Sequence, residues 1–332
     1  MSILAMQSEV DQLAELCDQH DSIMVMGHKD ADGDTLGCSL AFGEALRARG
    51  KRVWIVIPHP LPQKYAWMPG FDGIVERPDR GEEIGLVLVF DSGNIERSGG
   101  AAAHIASGAT IVNVDHHTSN SRFGDLNIID ADASAVGQMC LDMLEHLGWP
   151  ITPAMATNLY TALMTDTGGF RHENTTARAL RDAARLAALG ADPSHVASMV
   201  YKSRPLTTVK LSALAVGSMQ VEMDGRLAWA KLTRRMLRDA GAVMAESEDI
   251  IDTLNSLAGL DLAIILKEVS GRLTKISVRS RGAVDAAALC GEFGGGGHLR
   301  AAGAEIPLPI DRAIPAVLDV ARDAIRAADA RS

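Results

Sequence analysis

Aromatic residues make up only 4% of this 332-residue chain, which leaves few platforms on which nucleobases could stack. Cysteine is scarcer still. Cys17, Cys38, Cys140 and Cys290 form no CxxC and no metal-ligand spacing, as expected of reduced, packed thiols. Basic residues are outnumbered, 32 Lys and Arg against 42 Asp and Glu, for a net charge of −10. That balance argues against a long nucleic-acid track, which needs many Lys and Arg contacts to phosphate. Any anionic substrate must be small and met by a local basic cluster. No apolar run approaches ~18 residues, so no membrane span is expected. The first segment, MSILAMQSEVDQLAELC, carries acids where a signal peptide needs bases, and its spacing suits an amphipathic helix. A cytoplasmic protein is expected.

What is present is alternation. Strand-like runs at 22–27, 52–57, 84–90 and 110–114 interleave with helix-like patterns at 34–49, 135–147, 153–165 and 175–189. This order predicts an α/β fold, βαβ units around a mostly parallel sheet, over 1–190. Residues 191–215, with two prolines and helical spacing, read as a helical linker. From 216 onward the style changes. MQVEM-DG-RLAWAKL is a hairpin with Asp-Gly at the turn, a helix follows at 248–258, and a second hairpin turns at Ser270–Gly271. A smaller α+β domain is expected over 216–332, and at 332 residues two cores are affordable.

Acidic and imidazole side chains recur where the apolar runs stop. His28, Asp32 and Asp34 follow SIMVMG; Asp91 ends GLVLVF; Asp115, His116 and His117 end TIVNV; Asp166 follows NLYTALMT. In parallel α/β sheets, sites form beyond the carboxyl ends of the strands, so these groups would gather at one mouth and could hold two divalent metals. Two such ions point to phosphate ester hydrolysis. Each segment also has a plainer reading. Asp32 and Asp34 suit an Asx-turn or the cap of the next helix, Asp91 suits an N-cap, and Asp166 suits a solvated helix end. As a set they favour a metal centre.

Two features stand out in the second domain. Lys275, Ser277, Arg279 and Arg281 alternate with apolar residues and would share one face of a strand; a charged solvent face is the competing reading. Gly294 to Gly297 then run consecutively before His298. Such a loop costs backbone entropy and is useful where N–H groups must approach an anion closely.

These residues are those of a known family. The chain resembles the DHH phosphoesterase superfamily, named for the Asp115-His116-His117 motif, with His28-Asp32-Asp34 as its HxxxDxD motif and Asp91 in FDSG as the next. Asp166 in TDTGGFR and the FGGGGHLRAAG of 293–303 complete it. Length and motif wording are closest to bacterial NrnA-type oligoribonucleases, which also act on 3′-phosphoadenosine 5′-phosphate (pAp). The resemblance implies that His28, Asp32 and Asp91 hold one metal, and that Asp34, Asp91, His116 and Asp166 hold another, with Asp91 bridging. Two Mn²⁺ per chain are implied, with Mg²⁺ or Co²⁺ as substitutes; the carboxylate and imidazole donors suit Mn²⁺. It further implies that Asp115 supports catalysis, orienting His116, and that His117 contacts the scissile phosphate. Ser277, Arg279, Arg281, Gly295, Gly296, Gly297 and His298 would bind the substrate's terminal phosphate and sugar. Only short RNA or nucleotides would then span both sites. Family members often form homodimers.

The chain departs from the family wording at Ala31 (commonly proline), Cys38 (usually serine) and Gln138 (frequently glutamate). None is an implied metal ligand, so packing or substrate preference should change rather than activity. The alternatives are a cyclic-dinucleotide phosphodiesterase, a manganese pyrophosphatase, against which the glycine loop speaks, and a non-catalytic nucleotide sensor, against which the filled ligand positions speak.

Overall fold

The computed structural model describes residues 6–330 and divides the chain between Ser203 and Arg204. In the first unit the elements run α1 (Gln7–Gln19), β1 (Ser22–Met26), α2 (Gly33–Ala48), β2 (Arg52–Val56), β3 (Ile74–Val75), β4 (Leu86–Phe90), β5 (Thr110–Asp115) and β6 (Leu126–Ile129). Four helices follow: α3 (Val136–His146), α4 (Pro153–Asp166), α5 (Ala177–Ala188) and α6 (Pro193–Tyr201). All six strands pair in parallel, in the order β3-β2-β1-β4-β5-β6. Successive strands step outward from β1 to β3, then restart on its other side with β4. The strand order therefore reverses between β1 and β4, and a crevice opens beyond their carboxyl ends at such a point.

The aliphatic runs become strands because both their faces are covered. Ile23, Val25, Leu86, Leu88 and Phe90 join the large core beneath the helices, while Met24, Met26, Val87 and Val89 form a second cluster on the opposite face. A parallel sheet so covered reads as unbroken apolar sequence. The helix starts carry recognisable caps. Thr152 accepts from the Met155 N–H ahead of Pro153, and Thr176 accepts from the Ala179 N–H. All four cysteines are free and buried.

The residues of the expected linker are shared between the units. Val196 of α6 belongs to the first core, while Leu211 and Ala215 of α7 (Leu206–Gly217) belong to a core of the second. The second unit continues with β7 (Gln220–Glu222), β8 (Leu227–Leu232), α8 (Arg234–Ala240), α9 (Ile250–Asn255), β9 (Leu262–Ser270), β10 (Leu273–Ser280), α10 (Ala286–Gly291), β11 (Gly296–His298), β12 (Ala301–Ile306) and α11 (Ile310–Asp329). Its sheet order is β11-β12-β10-β9-β8-β7, antiparallel except between β8 and β9. The Asp-Gly turn forms as read, with Asp224 and Gly225 at φ +56° and +92°. Among the described residues no helix is long and apolar enough to cross a membrane.

The site depends on close helix packing in the first unit. A Cβ at Gly37 of α2 would lie 2.4 Å from the Asn158 carbonyl oxygen and 2.9 Å from the Ala162 Cβ, both on α4. Alanine has the better intrinsic helix propensity, by about 1 kcal/mol. Gly37→Ala should nonetheless destabilise the protein by about 1–3 kcal/mol, because the neighbour in the way is backbone. Denaturant unfolding checks this; unchanged or increased stability would refute the packing argument.

Candidate active site

The strands at the reversal supply the first two groups. His28 leaves β1 two residues beyond its end, and its Nδ1 lies 2.6 Å from the Lys29 carbonyl. A proton on Nδ1 leaves Nε2 to face Asp91, 3.3 Å from its Oδ2. Asp91 follows β4 directly at φ +56°, a left-handed conformation that costs a non-glycine residue about 1–2 kcal/mol. Its N–H nevertheless continues the sheet to the Val114 carbonyl at 3.0 Å. Thr35 donates to the Asp91 Oδ2 at 2.6 Å. Strain kept in a buried, hydrogen-bonded acid is the kind that active sites retain.

The loop after His28 curls, as three donors so closely spaced require. Asp32 caps α2, its Oδ1 accepting from the Asp34 and Thr35 N–H groups at 3.0 Å each. Asp34, also read as a cap of that helix, serves a different one. Its oxygens accept from the Val136 and Gly137 N–H groups at the start of α3, at 2.7 and 2.8 Å. The Cys38 thiol donates to Asp34 Oδ1 at 3.2 Å. A carboxylate oxygen has two lone-pair directions, so Asp34 keeps capacity for a further partner.

At the end of β5 the roles of the two histidines separate. His116 sets its Nδ1 3.0 Å from the Ala133 carbonyl and directs Nε2 at the acids, 3.7 Å from Asp166 Oδ2 and 3.9 Å from Asp91 Oδ1. Asp115, expected to orient His116, instead holds His117, with Oδ1 2.7 Å from its Nδ1. The Asp115 Oδ2 takes the Asn120 amide at 2.6 Å. The reason is geometric. Consecutive residues leaving a strand point to opposite sides, so the imidazole two positions on returns to the side of Asp115. Arg97 donates to the His117 Nε2 at 3.1 Å, so the Nδ1 proton lies toward Asp115.

Three groups of donors result, each with one ligand atom per residue and all atoms within 4.8 Å of one another. They are His28, Asp32 and Asp91; Asp34, His116 and Asp166; and Asp91, His116 and His117. The electrostatics of this crowd ask for cations. Burial, reinforced by Asp91 and Asp166, pushes the Asp34 carboxyl well above its ordinary range. Burial likewise pushes Asp166 up to about 7, with His116 opposing and Asp32 and Asp91 adding. Burial would raise Asp91 too, but the hydrogen bond and charge of His28, with His116 and His117, hold it below the carboxylate range. Burial lowers His28 and His116, yet their carboxylate neighbours carry both up to about 9. Hard carboxylate oxygens mixed with imidazole nitrogens fit a divalent ion such as Mn²⁺ or Mg²⁺ and do not make a thiolate zinc site.

In the second unit, Lys275, Ser277 and Arg279 share one face of β10, with Ile276 and Val278 buried on the other. Arg281 does not belong to that face. It lies beyond the strand and donates to the Asn255 and Leu257 carbonyls, pinning the turn after α9. In the glycine loop a Cβ at Gly295 would meet the Gly303 oxygen at 2.3 Å, and one at Gly297 would meet the Ala301 oxygen at 2.5 Å. Those two glycines are demanded by β12, whereas Gly296 faces open space. His298 ends β11, and its side chain lies outside the described residues. Phe170 packs edge-on to Tyr160 beside the first core, at 6.1 Å between ring centres.

Arg97 is the site residue that sequence reasoning missed. It stands in the helical turns of 95–104, and the Lys29 N–H donates to its carbonyl at 2.7 Å, which draws it over the histidines. The only cue in the sequence is a lone arginine six residues after Asp91.

The DHH family, N-terminal domain, matches residues 22–163, and the DHHA1 domain matches residues 226–327. The chain belongs to the DHH family and is a phosphoric ester hydrolase. It is 31% identical over 303 residues to the bifunctional oligoribonuclease and PAP phosphatase NrnA of Thermus thermophilus, covering 91% of this chain and 89% of that one. It is 25% identical over 311 residues to the cyclic-di-AMP phosphodiesterase PdeA of Listeria monocytogenes, covering 89% of this chain and 46% of that one. Among solved structures it resembles an exopolyphosphatase-related protein from Bacteroides fragilis, with a TM-score of 0.88, 25% identity and 96% of each chain covered.

Protons should leave when a cation enters. Imidazoles with pKa values of about 9 are protonated at pH 7 in the ion-free protein and must lose that proton to become ligands. Calorimetric Mn²⁺ titration at pH 7, in buffers of different ionisation enthalpy, should register release of at least about one proton, with affinity rising as pH increases. Proton-neutral binding would contradict the assigned donors.

Proposed function

We propose that this chain hydrolyses oligoribonucleotides of two to a few residues, and removes the 3′-phosphate of pAp, using two Mn²⁺ ions. The observation that carries this reading is the sharing of donors. Asp91 belongs both to the group with His28 and Asp32 and to the group with His116, while His116 also joins Asp34 and Asp166. His28, Asp32 and Asp91 would hold one ion; Asp34, Asp91, His116 and Asp166 would hold the other. When bound, such a pair polarises phosphoryl oxygens and lowers the pKa of water at the site.

The protein's own groups supply the rest. Asp115 accepts from the His117 Nδ1, fixing the tautomer and orientation of the ring. Nε2, which accepts from Arg97 here, would deliver a proton to a departing ribose oxygen only once a phosphoryl group has drawn Arg97 away and the ring has taken up a second proton. Arg97, 3.1 Å from that nitrogen, brings a fixed positive charge to where the phosphoryl oxygens would sit. The carbonyls of Lys29 and Ala133 set the ring orientations of His28 and His116. Size selection is supported by the net charge of −10, which suits a small anion better than a polymer. In the second unit, the β10 face with Ser277 and Arg279, and the loop of Gly295, Gly296, Gly297 and His298, would bind the terminal phosphate. The similarity to the NrnA relative supports this choice of substrates.

Hydrolysis of pApA, pAp, pyrophosphate and a cyclic dinucleotide should be compared with Mn²⁺ added. Turnover of pApA and pAp is expected. Turnover of pyrophosphate alone, or of the cyclic dinucleotide alone, would overturn the proposal. Asp115→Asn should lower kcat by about 10²-fold or more, by misplacing the Nδ1 proton of His117, while Mn²⁺ stoichiometry stays the same. Undiminished kcat would remove His117 from its role.

A further inference from the structure

Residues 133–137, which lead from β6 into α3, are all buried. Ala135, just ahead of α3, offers no side chain to cap that helix. Buried backbone groups outside a regular ladder must find partners elsewhere. Here the partners belong to one candidate cation position. The Ala133 carbonyl lies 3.0 Å from the His116 Nδ1, and the Val136 and Gly137 N–H groups hold the Asp34 carboxylate at 2.7 and 2.8 Å.

Ser134 stands in the middle of this segment and is 1% exposed. Its N–H donates to the Gln138 Oε1 at 3.1 Å, and its hydroxyl donates to the Asn174 carbonyl at 2.5 Å. Its own carbonyl accepts from the Asn174 side-chain amide at 3.0 Å. The same amide donates to the Asp166 carbonyl at 3.2 Å. Gln138 is fixed in turn, its Nε2 donating to the Asp182 Oδ2 at 2.5 Å. Ser134 and Asn174 therefore tie the segment that holds His116 and Asp34 to the end of α4, where Asp166 stands. His28 and Asp32 are held by other groups, the Lys29 carbonyl and the N–H groups of Asp34 and Thr35.

We infer that Ser134 and Asn174 are positioning residues for the cation at Asp34, His116 and Asp166, and set its affinity separately from that of the cation at His28 and Asp32. The inference rests on the two-ion reading above and adds to it two residues that act through the ligands. Those three ligands come from α2, the end of β5 and the end of α4, so a cation meets them together only if the three elements keep register. Outer hydrogen bonds that orient ligands are worth affinity for that reason. Displacing Ser134 would shift the Ala133 carbonyl and the start of α3 at once, and so disturb His116 and Asp34 together.

The test titrates the full chain with Mn²⁺ by calorimetry, with electron paramagnetic resonance to separate a spin-coupled pair of ions from an isolated one. Ser134→Ala removes one hydroxyl. Asn174→Ala removes the amide at an exposed position, so it opens no cavity. Each variant should weaken one of the two ions by about threefold to tenfold, the size of one neutral hydrogen bond, and leave the other unchanged. At intermediate Mn²⁺ both variants should show an isolated ion where wild type shows a coupled pair, and saturating Mn²⁺ should restore wild-type kcat. A general folding defect would weaken both ions. Equal weakening of both, or unchanged affinity for both, would overturn the inference. A second readout needs no metal. In EDTA, hydrogen exchange at the Val136 and Gly137 amides should quicken by about threefold or more in each variant, with the Thr35 amide, which donates to Asp32, as the unchanged reference. Exchange at wild-type rates would also overturn it. If wild type takes up a single ion while those two amides still respond, the two-ion reading fails and the positioning role stands.

Discussion

The Asp91 carboxylate stays ionised while 2% exposed, and much of the first unit is arranged around that fact. Its backbone is held left-handed at the end of β4, its Oδ2 takes the Thr35 hydroxyl, and three imidazoles surround it. Removing any one of these leaves a buried charge less compensated, a cost of several kcal/mol for a wholly unpaired ion. The strand order supplies the place. β1 and β4 pair side by side while the chain leaves them toward opposite edges of the sheet, so side chains beyond both carboxyl ends meet there.

Around Asp91 lies a set of acids too crowded to remain anionic together. Asp34 and Asp166 are pushed upward, chiefly by burial. Against the effect of burial, Asp91 and Asp32 raise His28, and Asp166, Asp34 and Asp91 raise His116, so protons substitute for missing positive charge. A divalent cation replaces protons at such a site. Helix packing makes the arrangement rigid. The start of α3 donates two N–H groups to Asp34, and the small residues of α2 and α4 let those helices approach closely enough to place Asp166 opposite.

Much of this was legible in the sequence because buried parallel strands advertise themselves. GLVLVF and TIVNV have too little polarity to be anything but covered strands, and a charge at the end of each marks the mouth of the sheet. The hairpin at Asp224–Gly225 was equally plain, since few residues tolerate its positive φ. The partners were not legible. Asp34 meets backbone 102 positions away, and no local pattern connects a carboxylate to the N-terminus of a distant helix. Asp115 serves His117 rather than His116 because of side-chain direction at a strand end, which spacing alone leaves open. Arg281 looked like part of an alternating strand face, but the strand stops at Ser280 and the guanidinium finds carbonyls of the preceding turn. Arg97 had a weak signal, because it lies in irregular helical turns.

The central proposition is that one buried carboxylate serves two cation positions. Anomalous diffraction at the manganese edge, from crystals grown with Mn²⁺, addresses it most directly. Two peaks about 3.5–4 Å apart are predicted, one beside His28 and Asp32 and one beside Asp34, His116 and Asp166, with Asp91 touching both. A single peak, or two that do not share Asp91, would contradict the account.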